Sequence, residues 1–459
     1  MRLFSPDDPR PIHFMGVAGA GMSALALMAR RRGVAVTGCD QDSAGAADVA
    51  AAGASIWQGH DPAHVVGARA VVYTAAVSAQ HPELAAATAA HIPVVRRADA
   101  LHEAIRGGTV IAVAGTHGKT TTTVMTTEAL AATGANPTGL VGGRVRAWGG
   151  NARLGGDTLF VVEADEYDKA FLSLRPDVAV VTNIEADHLE CYGTLASLEH
   201  AFAEFAGRAR RVLVGADDAG ARRLATRLTV PVWTVGTARD ADLAIGEVVQ
   251  QRDVTIAPVT LPDGRTVTLK LTVPGLHNVR NAAMALGAVL AVEGDVEKSL
   301  EALAAFVGVG RRFELVGSAK GIVVVDDYAH HPSEVVATLA AARQRYPKAR
   351  IVAVFQPHLY SRTKEHGTAL GIALAAADVA VITEVYAARE QPLAGVNGLR
   401  VKDAAEAAGV RVVWVPQRQE LTGAVAKVVK KGDVVITLGA GDITLVGPAL
   451  LALLGGKAA

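Results

Sequence analysis

The chain has 459 residues, half of them apolar and only 4% aromatic, with 45 Lys and Arg against 45 Asp and Glu. That length predicts two or three domains of α/β type, and the zero net charge excludes a global field for nucleic acid or an anionic membrane, so phosphate affinity must be local. The two cysteines, Cys39 and Cys191, suit neither a disulfide framework nor a cysteine-based metal site.

The opening MRLFSPDDPRP has charges and prolines where a signal segment would have an apolar core, and no uninterrupted run of about 18 apolar residues follows. A soluble, cytoplasmic protein with no membrane partner is expected. The runs PIHFMGV, VAVTG, ARAVVYT and HIPVV, with a helix over about 22–32, predict strands alternating with helices in a parallel sheet. After Arg106-Gly107-Gly108 the pattern restarts with TVIAVAG, a Gly-rich turn and a helix over about 119–133, which places a first boundary near 107. TLFVVEA, DVAVVTN, RRVLVG and PVWTV continue the strands. Residues 241–273 alternate more finely around Leu261-Pro262-Asp263-Gly264 and predict β-hairpin structure, followed by helices from about 278 and 296. Beyond Gly310-Arg311-Arg312-Phe313-Glu314, the runs GIVVVDD, ARIVAVF, DVAVITE, VRVVWV and DVVITLG predict a further doubly wound sheet. The expected division is 1–107, 108–314 and 315–459.

Gly115-Thr116-His117-Gly118-Lys119-Thr120-Thr121 stands between a strand and a helix. Backbone amides, a helix N-terminus and an ammonium would surround one anion there, with Lys119 on the terminal phosphates and the Thr120 hydroxyl on Mg²⁺. The full phosphate-loop pattern would have a further glycine where Val113 stands, so the loop is a variant. Glu163 and His188 follow strands whose carboxyl ends lie on the same expected sheet edge, where ligands of open α/β sheets bind. A carboxylate suits Mg²⁺; imidazole is a less usual ligand. A solvated acidic loop is the plainer reading of Glu163-Ala164-Asp165-Glu166.

Gly16-Val17-Ala18-Gly19-Ala20-Gly21-Met22-Ser23 also links a strand to a helix, with Asp40 ending the next strand. Its GxxGxG spacing departs from the dinucleotide fingerprint, leaving dinucleotide binding, nucleotide-sugar binding and a structural turn all open. In PGLHNVRN, Asn281 can read a base edge, and Asn278 can cap a helix. Asp326-Asp327-Tyr328-Ala329-His330-His331-Pro332, with Arg312 before it, and Gln356-Pro357-His358-Leu359-Tyr360-Ser361-Arg362 resemble site loops. Arg362 could clamp an anion; zinc at the adjacent histidines lacks the usual spacing.

Together HFMGVAGAGMSALA, AGTHGKTTTT, EADEYDKAFLSLRPDVAVVTNIEADHLECYG, PGLHNVRNAAMA, GRRFE, VDDYAHHPSEV and FQPHLYSR, in that order, resemble the Mur ligases of peptidoglycan synthesis over nearly the whole chain. The resemblance implies an N-terminal Rossmann-like domain for a UDP-sugar, a central ATPase sheet and a C-terminal Rossmann-like domain that closes over the site. It implies ATP and Mg²⁺ as cofactors, and it is greatest to members that join L-alanine to UDP-N-acetylmuramate. Gly115, Thr116, Gly118, Lys119, Thr120 and Thr121 would then hold ATP phosphates, Asn281 the adenine, and Arg312 and Asp327 the nucleotide. Thr120 and Glu163 would hold one Mg²⁺ and His188 a second. Gly16, Gly19, Gly21, Met22 and Ser23 would cradle the UDP pyrophosphate, with His330 and Arg362 also facing substrate. Lys119, Glu163, His188 and Arg312 would be the catalytic set. Val72-Tyr73-Thr74-Ala75-Ala76-Val77 departs from the family's Ser-rich turn, so no UDP contact is carried over there. A monomer or weak homodimer is expected. The rival readings are a ligase for a recycled tripeptide or another amino acid, an ATP-hydrolysing switch protein, and a dehydrogenase resting on the first Gly-rich turn alone.

Overall fold

The computed structural model describes residues 3–74, 77–78, 80–251, 253–388 and 390–456, so Ala75 and Ala76 of the departing turn lie outside the described residues. Val, Ile and Ala runs flanked by turn residues form three sheets. The first has five parallel strands in the order Ser55–Gln58, Val36–Asp40, Ile12–Met15, Ala70–Tyr73, Val94–Arg96. Starting in the middle and winding outward both ways is the Rossmann arrangement, and it places the Gly-rich turn after Ile12–Met15 at the point where the winding reverses.

In the second sheet, Thr109–Ala114 lies between Leu159–Glu163 and Val178–Val181, parallel to both. Arg211–Gly215, Val232–Gly236 and Leu243–Ile245 extend it in parallel on one side, and Thr138–Val145 on the other. Antiparallel strands finish it: Gly150–Arg153 at one edge, and on the other side Val254–Thr260, which pairs with Thr266–Leu271 as the predicted hairpin and with the edge strand Val249–Gln251. Residues 110–114 are wholly buried, because helices cover both faces. The third sheet orders Glu314–Ala319, Ile322–Asp327, Val434–Leu438, Ile351–Phe355, Val379–Ile382, Arg411–Trp414, with only the first strand antiparallel.

Each predicted strand run is present. The edge strand Ser55–Gln58, the hairpin of Thr138–Val145 with Gly150–Arg153 and the antiparallel Glu314–Ala319 are additions that the sequence patterning did not reveal. The chain forms two compact units. One comprises Met1–Glu247, Ala257–Lys270 and Arg280–Ala305; the other Val248–Ile256, Leu271–Val279 and Phe306–Ala459. Within the first, the helix Ala20–Arg31 packs on Thr138–Val145 and Gly150–Arg153, and Ser23 Oγ meets the Asn151 side chain at 3.1 Å. This seats the Gly-rich turn beside the central sheet. Among the described residues, no helix is long and apolar enough to cross a membrane.

Candidate active site

The phosphate loop leaves Thr109–Ala114 at Gly115, with φ +130°, and enters the helix Lys119–Ala132 at Gly118, with φ +81°. Both glycines are required twice over. Their backbone is left-handed, and a Cβ would fall 2.1 Å from Thr182 Oγ1 at Gly115 and 2.6 Å from Asn281 Oδ1 at Gly118. The end of the neighbouring strand braces the loop: His117 N donates to Asn183 Oδ1 at 2.8 Å, Thr116 N to Asn183 O at 3.0 Å, and Thr182 Oγ1 to His117 O at 2.6 Å. Glu185 N donates to Thr116 Oγ1 at 2.9 Å. Thus the Thr116 hydroxyl is committed to the loop's own shape, while the first-turn amides of the helix, which have no intrahelical acceptor, point out of its N-terminus. Thr120 and Thr121 are buried in that first turn.

Lys119 Nζ donates to Gly115 O at 2.6 Å and to Glu166 Oε1 at 2.8 Å. Burial disfavours the ammonium, but the Glu166 and Asp165 carboxylates outweigh it and hold Lys119 charged, above the ordinary lysine value. Glu166, itself buried, is fixed further by Tyr192, whose hydroxyl donates to its backbone oxygen at 2.5 Å. Along the sequence Glu166 is only one member of an acidic run. Its partnership with Lys119 spans 47 residues and has no local signature.

Glu163 ends the strand beside the loop and accepts from Gly142 N at 2.8 Å. His188 has φ +53°, an uncommon conformation for a non-glycine residue, and opens the short helix Leu189–Tyr192. Its ring lies between two carboxylates, with Glu190 Oε1 3.4 Å from Nδ1 and Asp187 Oδ2 3.8 Å from Nε2. Asn281, at 8% exposure, sets its amide against the phosphate loop at Gly118. Asn278 lies inside the helix Leu276–Ala291 instead of capping it, and its side chain donates to Pro274 O at 2.7 Å.

The first Gly-rich turn opens onto a cavity of about 310 Å³. Gly16, Gly19, Gly21 and Met22 line it together with Arg97, Glu163 and Asp165. A Cβ at Gly21 would lie 2.6 Å from Arg97 Nη1, so the guanidinium lies against the turn. Arg97 carries no signal in the sequence, where it is the second of two arginines after the run HIPVV. Ser23 is turned away, its hydroxyl on Ala20 O at 3.1 Å and on Asn151. Asp40 braces the turn by accepting from Ala18 N at 3.0 Å.

In the second unit, Asp327 is buried and accepts from Phe313 N at 2.7 Å and Ala329 N at 2.8 Å. Burial pushes its carboxyl up to about 6, against the pull of Arg312 and those amides. Arg312 lies over the Tyr328 ring at 5.1 Å and 3.5 Å from Glu334 Oε1. His330 Nδ1 meets Tyr328 O at 2.8 Å, and His331 Nδ1 meets Ser333 Oγ at 2.8 Å, both at the start of the helix Pro332–Arg345. Arg362 is buried in the first turn of the helix Tyr360–Leu374.

The sequence matches the catalytic domain of the Mur ligase family over residues 11–109, the Mur ligase middle domain over 113–289 and the Mur ligase glutamate ligase domain over 311–441. A UDP-N-acetylmuramate–L-alanine ligase of Cutibacterium acnes is 44% identical, with all of this chain and 99% of the relative covered. One from Mycolicibacterium vanbaalenii is 45% identical over 97% of each chain. Among solved structures, the UDP-N-acetylmuramate-alanine ligase of Thermotoga maritima matches with TM-score 0.82 and 29% identity, over 97% of this chain and 99% of that one. A murein peptide ligase from Psychrobacter arcticus matches with TM-score 0.72 and 26% identity, over 98% of this chain and 100% of that one. With full-length relatives at that identity and all three domain types in order, this chain belongs to the Mur ligase family.

Proposed function

We infer that the chain is an ATP-dependent ligase that joins L-alanine to the lactyl carboxylate of UDP-N-acetylmuramate in peptidoglycan precursor synthesis. The carrying observation is the cavity in which Gly16, Gly19, Gly21 and Met22 face Glu163 and Asp165. It lets a substrate held by the Gly-rich turn present a carboxylate at the strand ends that flank the phosphate loop. The full-length relatives named for this reaction support the choice of acceptor over the tripeptide alternative.

In this reading the turn amides and Arg97 hold the UDP pyrophosphate. The loop from Gly115 to Thr121 and Lys119 hold the ATP phosphates, and Asn281 holds the adenine. The roles of Arg312 and Asp327 toward nucleotide, and of His330 and Arg362 toward substrate, rest on motif resemblance alone. The Thr120 hydroxyl and the Glu163 carboxylate are hard oxygen donors that fit Mg²⁺, with His188 offered to a second ion. Bound Mg²⁺ supplies charge neutralisation at the phosphates. The γ-phosphoryl group passes to the lactyl carboxylate, giving an acyl phosphate; the alanine amine then attacks the carbonyl and phosphate leaves. Lys119 offsets the charge that gathers as carboxylate and phosphoryl approach, and the buried strand ends position them. Alanine must shed a proton before attack, and His188, His330 and the nearby carboxylates are the candidate acceptors. The enzyme works in the cytoplasm as a monomer or weak homodimer, without nucleic acid or membrane, with domains divided near residues 107 and 314; the family matches that break at 109–113 and 289–311 support that division.

Lys119→Ala tests the assignment. Product formation is expected to vanish while UDP-N-acetylmuramate still binds by calorimetry, because the Gly-rich turn is untouched. Unchanged product formation would overturn it.

A further inference from the structure

One face of the first sheet is covered by a small apolar group, Met15, Cys39, Val65, Val71, Leu84 and Ala87. Strand alternation turns His13 to the same face as Met15, and the helix Pro82–Ala89 turns Glu83 toward it. His13, Cys39 and Glu83 are fully buried there, at 0% exposure. None of them belongs to the ligation machinery described above.

Cys39 Sγ lies 3.4 Å from His13 Nε2, 3.3 Å from each Glu83 carboxylate oxygen and 3.2 Å from His60 Nδ1. A thiol has one proton to give, so these approaches cannot all be hydrogen bonds from sulfur at once. His60 Nδ1 also lies 3.1 Å from Glu83 Oε2, and the donor atoms of His13, Cys39 and Glu83 are all within 4.8 Å of one another. Bonds of about 2.0–2.3 Å to a tetrahedral ion set its ligands about 3.3–3.7 Å apart, close to the 3.2–3.4 Å at which the other three residues approach Cys39 Sγ. Thr37 Oγ1 holds His13 Nδ1 at 3.0 Å and leaves Nε2 facing the sulfur, which is how an outer partner orients a ligating histidine. Imidazole, thiolate and carboxylate together select Zn²⁺-like ions over Mg²⁺.

We propose that His13, Cys39 and Glu83, with His60 as fourth donor, bind a Zn²⁺-class divalent ion that fastens the helix Pro82–Ala89 to the first sheet. Binding forms a sulfur–metal bond and releases the Cys39 proton to solvent, while both imidazoles ligate as neutral rings. His60, the partly exposed member, marks the side of entry.

The test uses the full chain, stripped by chelator under reducing conditions and titrated with Co²⁺. A thiolate-to-cobalt charge-transfer band is expected, saturating at one Co²⁺ per chain and displaced by Zn²⁺ but not by Mg²⁺. It should survive in Cys191→Ser and disappear in Cys39→Ser, and Zn²⁺ should raise the melting temperature of the wild type only while Cys39 is present. If Cys39→Ser does not fold, His60→Ala at the solvent edge should weaken Co²⁺ binding by about tenfold or more. No band in the folded wild type, a band that persists without Cys39, or unchanged affinity in His60→Ala would overturn the proposal.

Discussion

Lys119 is charged, buried and already paired, and that combination decides what its neighbours can do. Glu166 stands in for the negative charge that a nucleotide phosphate would bring, and removing one member of a buried pair costs about 3 kcal/mol or more because the other is left uncompensated. Glu166→Ala should therefore lower the stability of the nucleotide-free protein by about that much in urea unfolding. An ATP analogue should restore more stability to the variant than it adds to the wild type; equal gains would mean the phosphates do not meet Lys119. Asp327 makes a prediction of the opposite kind. Its carboxyl is raised from 3.8 to about 6 in the folded protein, so the folded state holds the proton more tightly than the unfolded one. Its contribution is complete below about pH 4 and is lost as the pH rises through 6, with a change of about 3 kcal/mol. The stability difference between wild type and Asp327→Ala, followed by denaturant unfolding of the second unit, should accordingly shrink from pH 4 to pH 8.

At the scale of elements, the Gly-rich turn and the phosphate loop do different work from similar residues. The loop is braced at nearly every position by the neighbouring strand end, whereas the turn leaves its glycines lining a cavity beside Arg97. Since Arg97 would hold the UDP-sugar equally in ground and transition states, Arg97→Ala should raise KM for it about tenfold and leave kcat nearly unchanged. A fall in kcat with KM constant would place Arg97 at the reacting atoms instead. The phosphate loop was legible because its requirements are local: Lys119 and Thr120 stand at fixed offsets from Gly118. The buried parallel strands were legible because burial on both faces demands unbroken Val, Ile and Ala runs; Ser55–Gln58, a largely exposed edge strand, was not. Thr138–Val145 was not, since Gly139, Gly142 and Gly143 erase that signal; at Gly139 a Cβ would fall 2.6 Å from Thr127 Cγ2, so the strand needs a small residue there. Arg97, Glu166 and the group around Glu83 escaped for another reason. Their partners lie between 21 and 76 residues away, joined only by the way the sheets wind.

At the scale of the whole molecule, the first unit alone brings the Gly-rich turn, the phosphate loop and Glu163 together. A nucleotide and a UDP-sugar held side by side in such a unit would distinguish a ligase from an ATP-driven switch. The most direct measurement is phosphate release from ATP by the purified protein, with each amino acid in turn and with and without UDP-N-acetylmuramate. Release that requires both UDP-N-acetylmuramate and L-alanine, matched by formation of the joined product, is the expected result. Release that is independent of both would contradict ligation.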